Sequence, residues 1–385
     1  DQCSWVHMQE REDGTAKAKD LIRMGVAKAA LLEPQEPIQS EMDAKAMVLG
    51  GGISGMTAAL ALANRGYQVF LLEKTPRLGG LLLRLSRLGP SNADASELAA
   101  KYAERVQKHP LIQVMTSTVA EEVKGYIGHF QVTAVRNGNR EEFGVGVIIV
   151  AIGAEVLQPH GLFQYDGKSV INQLELEERL KSEDFSAGSV VMIQCAGARN
   201  EDRKYCSRIC CMVAIKNAIA LKERNPDVGV RVLYRDIQAY GTENEAMFQR
   251  AKELGVLFLK YDPAMPPRVE PGKVVVFHET LGRDLTLPAE LVVLSTPLIA
   301  GPDNETVSKL LRVSLDENKF FLEGHVKLKP LDFATDGVYL CGNAHYPATV
   351  REAVSQALGA ASRASIPLSK KVMTVEPIVS TLVDE

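Results

Sequence analysis

A short apolar strand that runs directly into three spaced glycines is the feature that most limits how this chain can fold. The strand is predicted over residues 46–49, and Gly50, Gly52 and Gly55 follow it in the spacing G-x-G-x-x-G before an alanine-rich helix. In such a loop the first glycine allows a tight turn, the second lets a pyrophosphate approach the backbone, and the third lets the helix pack on the strand. The pattern predicts a βαβ unit that binds a dinucleotide.

An acidic residue closes the second predicted strand, residues 67–72, where folds of this kind bind an adenosine ribose. This residue is Glu73, whose carboxylate can accept hydrogen bonds from both ribose hydroxyls. Ser54 in the glycine loop and Lys74 after the acid are further predicted contacts to the ligand. The alternative for Glu73 is a solvated acid at the end of a strand.

Further motifs favour FAD over NAD as the dinucleotide. An Arg-Leu-Gly-Gly segment resembles a second diphosphate loop that FAD enzymes have and NAD dehydrogenases generally lack. It makes Arg77, Gly79 and Gly80 predicted FAD contacts. A later Ala-Ile-Gly segment resembles the ATG motif of the same enzymes and adds Gly153.

The segment over residues 335–343 resembles the C-terminal flavin motif of these enzymes. It contributes Gly342 and Asn343 as predicted contacts. Most such flavoproteins place Asp after this glycine, so Asn343 keeps an acceptor for the ribityl or phosphate region but loses the charge. We expect FAD binding to survive that change.

Predicted strands and helices alternate through the chain, and the pattern restarts once. The predicted fold is therefore α/β, with two doubly wound parallel-sheet domains of the dinucleotide-binding type, the second inserted in the first, after an N-terminal helical segment. The remaining predicted strands cover residues 145–152, 189–194, 230–234, 291–295 and 337–340, and the remaining helices cover residues 15–32, 97–107, 212–223, 243–254 and 349–364. The predicted divisions are an N-terminal helix and linker (1–43), an FAD-binding domain in two parts (44–160 and 301–370), an inserted domain (161–300) and a tail (371–385).

Charge and hydropathy exclude some classes of partner. The chain has 44 basic and 48 acidic residues, so no overall field favours nucleic acid. It lacks a run of about 18 apolar residues that could cross a bilayer and a charged-then-apolar leader, which predicts a cytoplasmic protein. The first residue is Asp and an extended stretch over residues 375–383 lies near the end, so a fragment of a longer protein is one interpretation.

Four of the six cysteines cluster where the inserted domain would have its own glycine loop. The strand over residues 189–194 leads into Cys195 and not into a second G-x-G-x-x-G, which argues against NAD(P)H binding there. Cys206, Cys210 and Cys211 follow at the start of a helix. Four thiols are the right number for a 4Fe-4S cluster, and a helix N-terminus lowers a thiolate pKa and stabilises negative charge. A redox-active Cys206–Cys210 disulfide, a zinc site and inert cysteines are the alternatives.

Four segments carry distinctive residues: 1–7 (DQCSWVH), 195–199 (C-x-G-x-R), 205–212 (YCSR-x-CCM) and 235–241 (RDI-x-AYG). Together they resemble the A-type polypeptide of heterodisulfide reductase. The resemblance implies a thioredoxin-reductase-like core that holds FAD, with a 4Fe-4S cluster on the four clustered cysteines. It also implies that Lys216 lies near the flavin N5, where a cation would stabilise anionic reduced flavin. The alternative is a solvated lysine on a helix surface.

The chain also departs from that family's pattern. Methanogen-type members carry ferredoxin modules with C-x-x-C-x-x-C runs, which this sequence lacks, and residues 88–93 have no cysteine. A shorter electron chain is the expectation. Cys3 is either a ligand whose companions precede it or a free thiol, and the tail from Val375 resembles the segment that leads into a terminal ferredoxin module.

The leading functional hypothesis is an oxidoreductase component in which FAD exchanges electrons with the cluster. The resemblance implies partners similar to the B-type and C-type polypeptides of heterodisulfide reductase, with ferredoxin, hydrogenase or dehydrogenase as electron donors, and a homodimer within a larger complex. Whether the flavin also bifurcates electrons is a question that this hypothesis leaves open. The alternatives are an NAD(P)H-dependent disulfide reductase that uses Cys206 and Cys210, and a non-catalytic component that only conducts electrons.

Overall fold

The computed structural model describes residues 2–34, 38–182, 185–370 and 372–375. Contacts divide the chain into two compact units, residues 1–40 with 372–385 and residues 41–371. None of the helices in the described ranges is long and apolar enough to span a membrane. The α-helices of these ranges are α1 (Arg11–Ala30), α2 (Ile53–Ala63), α3 (Ala95–Lys108), α4 (Gln173–Leu180), α5 (Cys210–Arg224), α6 (Thr242–Glu253), α7 (Asn304–Leu311) and α8 (Val350–Leu368).

The first sheet has five parallel strands and carries the predicted glycine loop. In spatial order its strands are Val338–Leu340, Val147–Val150, Lys45–Leu49, Gln68–Glu73 and Ile112–Thr116. The edge strand Val338–Leu340 comes from near the end of the chain, so the chain leaves this sheet and returns to it. The predicted insertion of the second domain into the first is therefore confirmed.

The second sheet also has five parallel strands. In spatial order they are Val170–Asn172, Leu291–Leu294, Ser189–Ile193, Gly229–Tyr234 and Leu257–Lys260. On one face Val190 and Met192 pack with Ala214 of α5, whereas Val191 and Ile193 contribute to a separate apolar cluster on the other face. Covering on both faces explains why the strand is continuously apolar in the sequence.

Two antiparallel three-stranded sheets interrupt the predicted alternation of strands and helices. Their strands are Thr118–Lys124, Phe130–Arg136 and Asn139–Val145 in one sheet, and Arg268–Glu270, Lys273–His278 and Arg283–Pro288 in the other. The prediction of alternation throughout was wrong here, and α4 and α7 were not predicted either. Asn137 and Gly138 both have positive φ and turn the hairpin between Phe130–Arg136 and Asn139–Val145, an Asn-Gly signal that the sequence did contain.

Short antiparallel pairs complete the part of residues 41–371 that the structure describes. Arg87–Leu88 pairs with Ala93–Asp94, and Ala154–Val156 pairs with Leu298–Ala300. The division of the chain at residues 160 and 300 remains a prediction.

The smaller unit contains α1, the strand Val372–Val375 and, except for Glu41, the strand Ile38–Glu41 that pairs with it. The apolar spacing of α1 predicts a buried stripe, yet no residue of this helix is buried, and Ile22 is 66% exposed. The predicted burial is therefore wrong for the described chain. The rest of the predicted tail, residues 376–385, lies outside the described residues.

Candidate functional site

The glycine loop has the geometry that its three glycines predict. Gly50 adopts a φ of +102°, and a Cβ there would lie 2.4 Å from the carbonyl oxygen of Ala151. A Cβ on Gly55 would lie 1.8 Å from the carbonyl oxygen of Gly50, so α2 can pack this closely only with glycine. A Cβ on Gly52 would meet no atom within 4 Å. The middle position is thus the open one, which is what a ligand approaching the backbone requires.

Glu73 is buried and fixes the glycine loop. Its Oε2 accepts a hydrogen bond from the Gly51 N–H at 2.7 Å, and its Oε1 accepts from the Thr75 N–H and hydroxyl, each at 2.7 Å. Carboxylate oxygens have further lone pairs, so the side chain can still accept from a ribose. Glu73 is not the solvated acid of the alternative interpretation.

The second glycine pair packs against the first loop. Gly79 has a φ of +126°, and its N–H donates to the Gly51 carbonyl oxygen at 2.8 Å. A Cβ on Gly80 would lie 3.1 Å from the Cα of Gly52. The two loops therefore leave little room for side chains between them, in keeping with a shared diphosphate cradle.

The C-terminal motif packs against the glycine loop at Ser54. Gly342 has a φ of +70°, and a Cβ there would lie 2.1 Å from the Ser54 hydroxyl oxygen. The Oδ1 of Asn343 accepts from the Ala348 N–H at 2.6 Å. The acceptor that we expected Asn343 to offer a ligand is thus already engaged within the chain.

A cleft with a volume of 1390 Å³ joins most of the predicted residues. Gly55 and Gly342 do not line it, because they serve the packing beneath the loop. Lys74 lines it while forming an exposed ion pair with Asp303 at 2.5 Å. The predicted residues that line the cleft are Gly50, Gly52, Ser54, Glu73, Lys74, Arg77, Gly79, Gly80, Gly153, Cys210, Lys216 and Asn343.

The four clustered cysteines surround the start of α5. Cys210 and Cys211 are its first two residues, and the Sγ of Cys210 lies 3.5 Å from the Thr296 carbonyl oxygen. Cys195 follows the central strand of the second sheet with a φ of +61°, and the Arg208 N–H donates to the Sγ of Cys206 at 3.3 Å. All four are free thiols in the described chain, so the Cys206–Cys210 disulfide of the alternative interpretation is not formed.

Burial dominates the ionisation of Cys195, Cys210 and Cys211. It raises the pKa of Cys210, an effect to which the neighbouring Cys211, Cys206 and Cys195 add. Burial also raises the pKa of Cys211 to about 11 and that of Cys195, where the positive charges of Arg199 and Arg235 oppose the rise. The expectation that the helix start lowers the thiol pKa was wrong, because desolvation outweighs the helix dipole. Within the described ranges, no three His, Cys, Asp or Glu side chains are grouped to hold a metal ion.

Lys216 of α5 is buried in an ion pair. Its ammonium donates to the Oε1 of Glu177 on α4 and to the Arg87 carbonyl oxygen, the latter at 2.9 Å. Ser86 donates to the other Glu177 oxygen through its N–H at 2.9 Å and its hydroxyl at 2.6 Å. Burial lowers the pKa of Lys216, and the charge of Glu177 opposes that shift. The alternative of a solvated lysine is wrong.

Glu177 is a site residue that the sequence analysis missed. It lines the cleft beside Lys216 and is buried. A signal for its helix existed, because Asn172 and Glu175 form a capping box at the start of α4. The pairing itself had no local signal, since the two partners are 39 residues apart.

The fold and the cleft define a two-domain, dinucleotide-binding oxidoreductase class. A profile for an NAD(P)-binding Rossmann-like domain matches residues 48–103. The thioredoxin reductase of T. acidophilum superposes with a TM-score of 0.57 at 18% identity, covering 84% of this chain and 97% of that one. The thioredoxin reductase of Lactococcus lactis gives a TM-score of 0.59 at 18% identity, with coverage of 84% and 99%. These likenesses confirm the predicted fold.

Sequence relatives identify the family within that class. The chain is 32% identical to the A-type polypeptide of the H(2):CoB-CoM heterodisulfide,ferredoxin reductase of Methanothermobacter thermautotrophicus, over 99% of this chain and 72% of the relative. It is 31% identical to an A-type iron-sulfur polypeptide of the CoB–CoM heterodisulfide reductase of Methanopyrus kandleri, over 100% and 73% of the two chains. The chain belongs to the family of A-type heterodisulfide reductase polypeptides and is an oxidoreductase, as the sequence motifs predicted.

Proposed function

We propose that this chain binds FAD in the cleft and a 4Fe-4S cluster on Cys195, Cys206, Cys210 and Cys211, and passes electrons between them. The observation that carries the proposal is the position of Cys210. It lines the same cleft as the open Gly52 and stands at the start of α5, among the other three cysteines. A flavin in the cleft would thus adjoin the cluster.

The cleft residues fit FAD. Gly52 leaves space for a diphosphate at the N-terminus of α2, where free N–H groups and the helix dipole favour negative charge. Glu73 holds the adenosine end of the loop and retains acceptor capacity. Bound FAD would supply the electron transfer that amino-acid side chains do not perform.

The cysteine set supplies the four thiolates that a 4Fe-4S cubane takes, one on each iron. Cys195, Cys206 and Cys211 each add to the rise in the pKa of Cys210, so the four thiols lie close enough to interact. Arg199 and Arg235, which act on Cys195, supply positive charge that favours an anionic cluster.

Lys216 is the residue that we assign to the flavin. Its ammonium lines the cleft and is held by Glu177 and the Arg87 carbonyl oxygen. A fixed positive charge in a buried cleft stabilises added negative charge on a neighbouring group more strongly than a solvated one would. Glu177 and Ser86 act as positioning residues for this ammonium.

The names of the relatives indicate the surroundings in which this chain would work. Several of them are named as parts of heterodisulfide and ferredoxin reductases. We assign this chain to a cytoplasmic complex with partners similar to the B-type and C-type polypeptides of heterodisulfide reductase, and with ferredoxin, a hydrogenase or a dehydrogenase as electron donor. A homodimer within that complex is part of the same proposal.

Cofactor analysis of anaerobically purified protein tests the proposal. The parent should contain one FAD per chain together with iron and sulfide, and should show broad visible absorption from iron-sulfur charge transfer. Cys210→Ala should lower the iron content while flavin remains. Cys341→Ala is the control, because Cys341 is a buried free thiol that lies outside the cluster.

One result would replace the proposal with the disulfide-reductase alternative. This result is anaerobic protein without iron that contains a Cys206–Cys210 disulfide reducible by NADPH. Equal iron content in parent and Cys210→Ala would instead contradict the ligand assignment alone.

A further inference from the structure

Two oppositely charged side chains, Arg199 and Asp236, form an ion pair at the rim of the cysteine cluster, and Asp236 has no role in the proposed function. The Nη1 of Arg199 lies 2.6 Å from the Oδ2 of Asp236. The Sγ of Cys211 lies 3.6 Å from the Asp236 carbonyl oxygen, so this segment borders the cluster directly. Arg199 is four positions after Cys195 in the loop that takes the place of a glycine loop. The Asp236 backbone thus borders Cys211, and the positive charge of Arg199 acts on Cys195.

A second arginine forms a hydrogen bond with the backbone of the first. The Nη1 of Arg235 donates to the Arg199 carbonyl oxygen at 3.0 Å. Its Nε is buried and has no hydrogen-bond partner in the described chain. The side-chain amide of Gln194, the residue before Cys195, is completely buried, and neither its Nε2 nor its Oε1 has a hydrogen-bond partner in the described ranges. Buried donors without partners cost free energy. The Arg235 Nε and the Gln194 Nε2 therefore suit a bound group that accepts hydrogen bonds and that the protein itself does not supply.

We propose that Arg199 and Asp236 set the reduction potential of the cluster in opposite directions. The proposal rests on the proposed function, because it requires a cluster on the four cysteines. Reduction adds one electron to the cluster, from the flavin or another one-electron reductant, and neither makes nor breaks a covalent bond. The added negative charge is stabilised by the Arg199 guanidinium and opposed by the Asp236 carboxylate, which partly neutralises that guanidinium.

The exposure of the two side chains makes the pair testable. The Arg199 side chain is 29% exposed and that of Asp236 is 51% exposed. Because Asp236 is the more solvated partner, its amide variant should fold with little disturbance. Arg199 and Asp236 thus act on the cluster by their charges, and their effects on its reduction potential should differ in sign.

The experiment is an EPR-monitored redox titration of anaerobic protein with a dithionite-based reductant and mediators. Variants are compared at equal iron and sulfide content. Arg199→Gln should lower the ratio of reduced to oxidised cluster about tenfold at a fixed potential, which for one electron corresponds to a midpoint about 59 mV lower. Asp236→Asn should raise the ratio, and Arg199→Lys, which keeps the charge, should stay near the parent.

The outcomes separate this inference from the proposed function. If the parent holds no cluster, both fail together. A parent that holds the cluster while Arg199→Gln and Asp236→Asn shift its potential in the same direction, or not at all, overturns only the present inference. Should Arg199→Gln lose iron, the Asp236→Asn titration decides alone: a raised potential supports the proposal, and an unchanged one overturns it.

Discussion

Replacing Lys216 with Met tests the buried ion pair at the centre of the candidate site. The side chains of Lys216 and Glu177 are 9% and 1% exposed, so neither charge is well solvated. Removing one partner of such a pair leaves an uncompensated buried charge, which costs about 3–5 kcal/mol. Met keeps the length and apolar stem of Lys. The expected loss in the free energy of unfolding is therefore dominated by the orphaned carboxylate of Glu177.

The burial of the pair sets the magnitude. Lys216→Met should lower the free energy of unfolding by about 3–5 kcal/mol relative to the parent, because the Glu177 carboxylate keeps its Ser86 donors but loses the opposite charge.

The assay is urea unfolding of flavin-containing protein under anaerobic conditions, followed by circular dichroism. The double variant Lys216→Met with Glu177→Gln should recover most of the loss, because the amide can still accept from Ser86. Lys222→Met is the matched control on the same helix, since that ammonium donates to backbone carbonyl oxygens. A double variant that is no more stable than Lys216→Met would refute the reasoning.

Three further predictions concern other parts of the structure. Gly52→Val should lose FAD while remaining folded, because the added side chain fills only the ligand space, whereas the open Gly25 in α1 tolerates the same change with full flavin content. Burial opposes ionisation of Asp166, but hydrogen bonds from residues 168–170 lower its pKa to about 2. Its contribution to stability should vanish as the pH falls through about 2, and Asp166→Asn should flatten the acid limb of a thermal-melting profile. Lys216→Ala should change the flavin potential with FAD still bound, and identical potentials in titrations of both proteins would leave Lys216 a structural role only.

Local signals account for the parts of the site that the sequence predicted. The strand, the glycine spacing and the acid at the next strand end lie within residues 46–73, and their chemistry depends on backbone geometry that glycine alone permits. The Gly50 and Gly55 close approaches follow directly from that spacing. The cysteines at the start of α5 could be recognised in the same way.

Other features had weak or misleading local patterns. The strands Thr118–Lys124 and Asn139–Val145 carry many exposed polar residues, so their period-two pattern is faint and the alternation of strands and helices looked unbroken. The pKa of Cys211 depends on how deeply its thiol is buried, which outweighs the helix position visible in the sequence. Asn343 offers an acceptor in the sequence that the Ala348 N–H already uses in the fold.

The sequence by itself determined the dinucleotide-binding unit, the family and the cysteine set, because these depend on residue types at short, fixed spacings. Only the tertiary structure decided that Lys216 is paired with Glu177, that Arg199 is paired with Asp236, and that Cys210 shares the flavin cleft. The physical reason is that the interacting residues are far apart in the sequence. Ion pairing and desolvation depend on distances between side chains far apart in the chain, and the packing of the two sheets and their helices sets those distances.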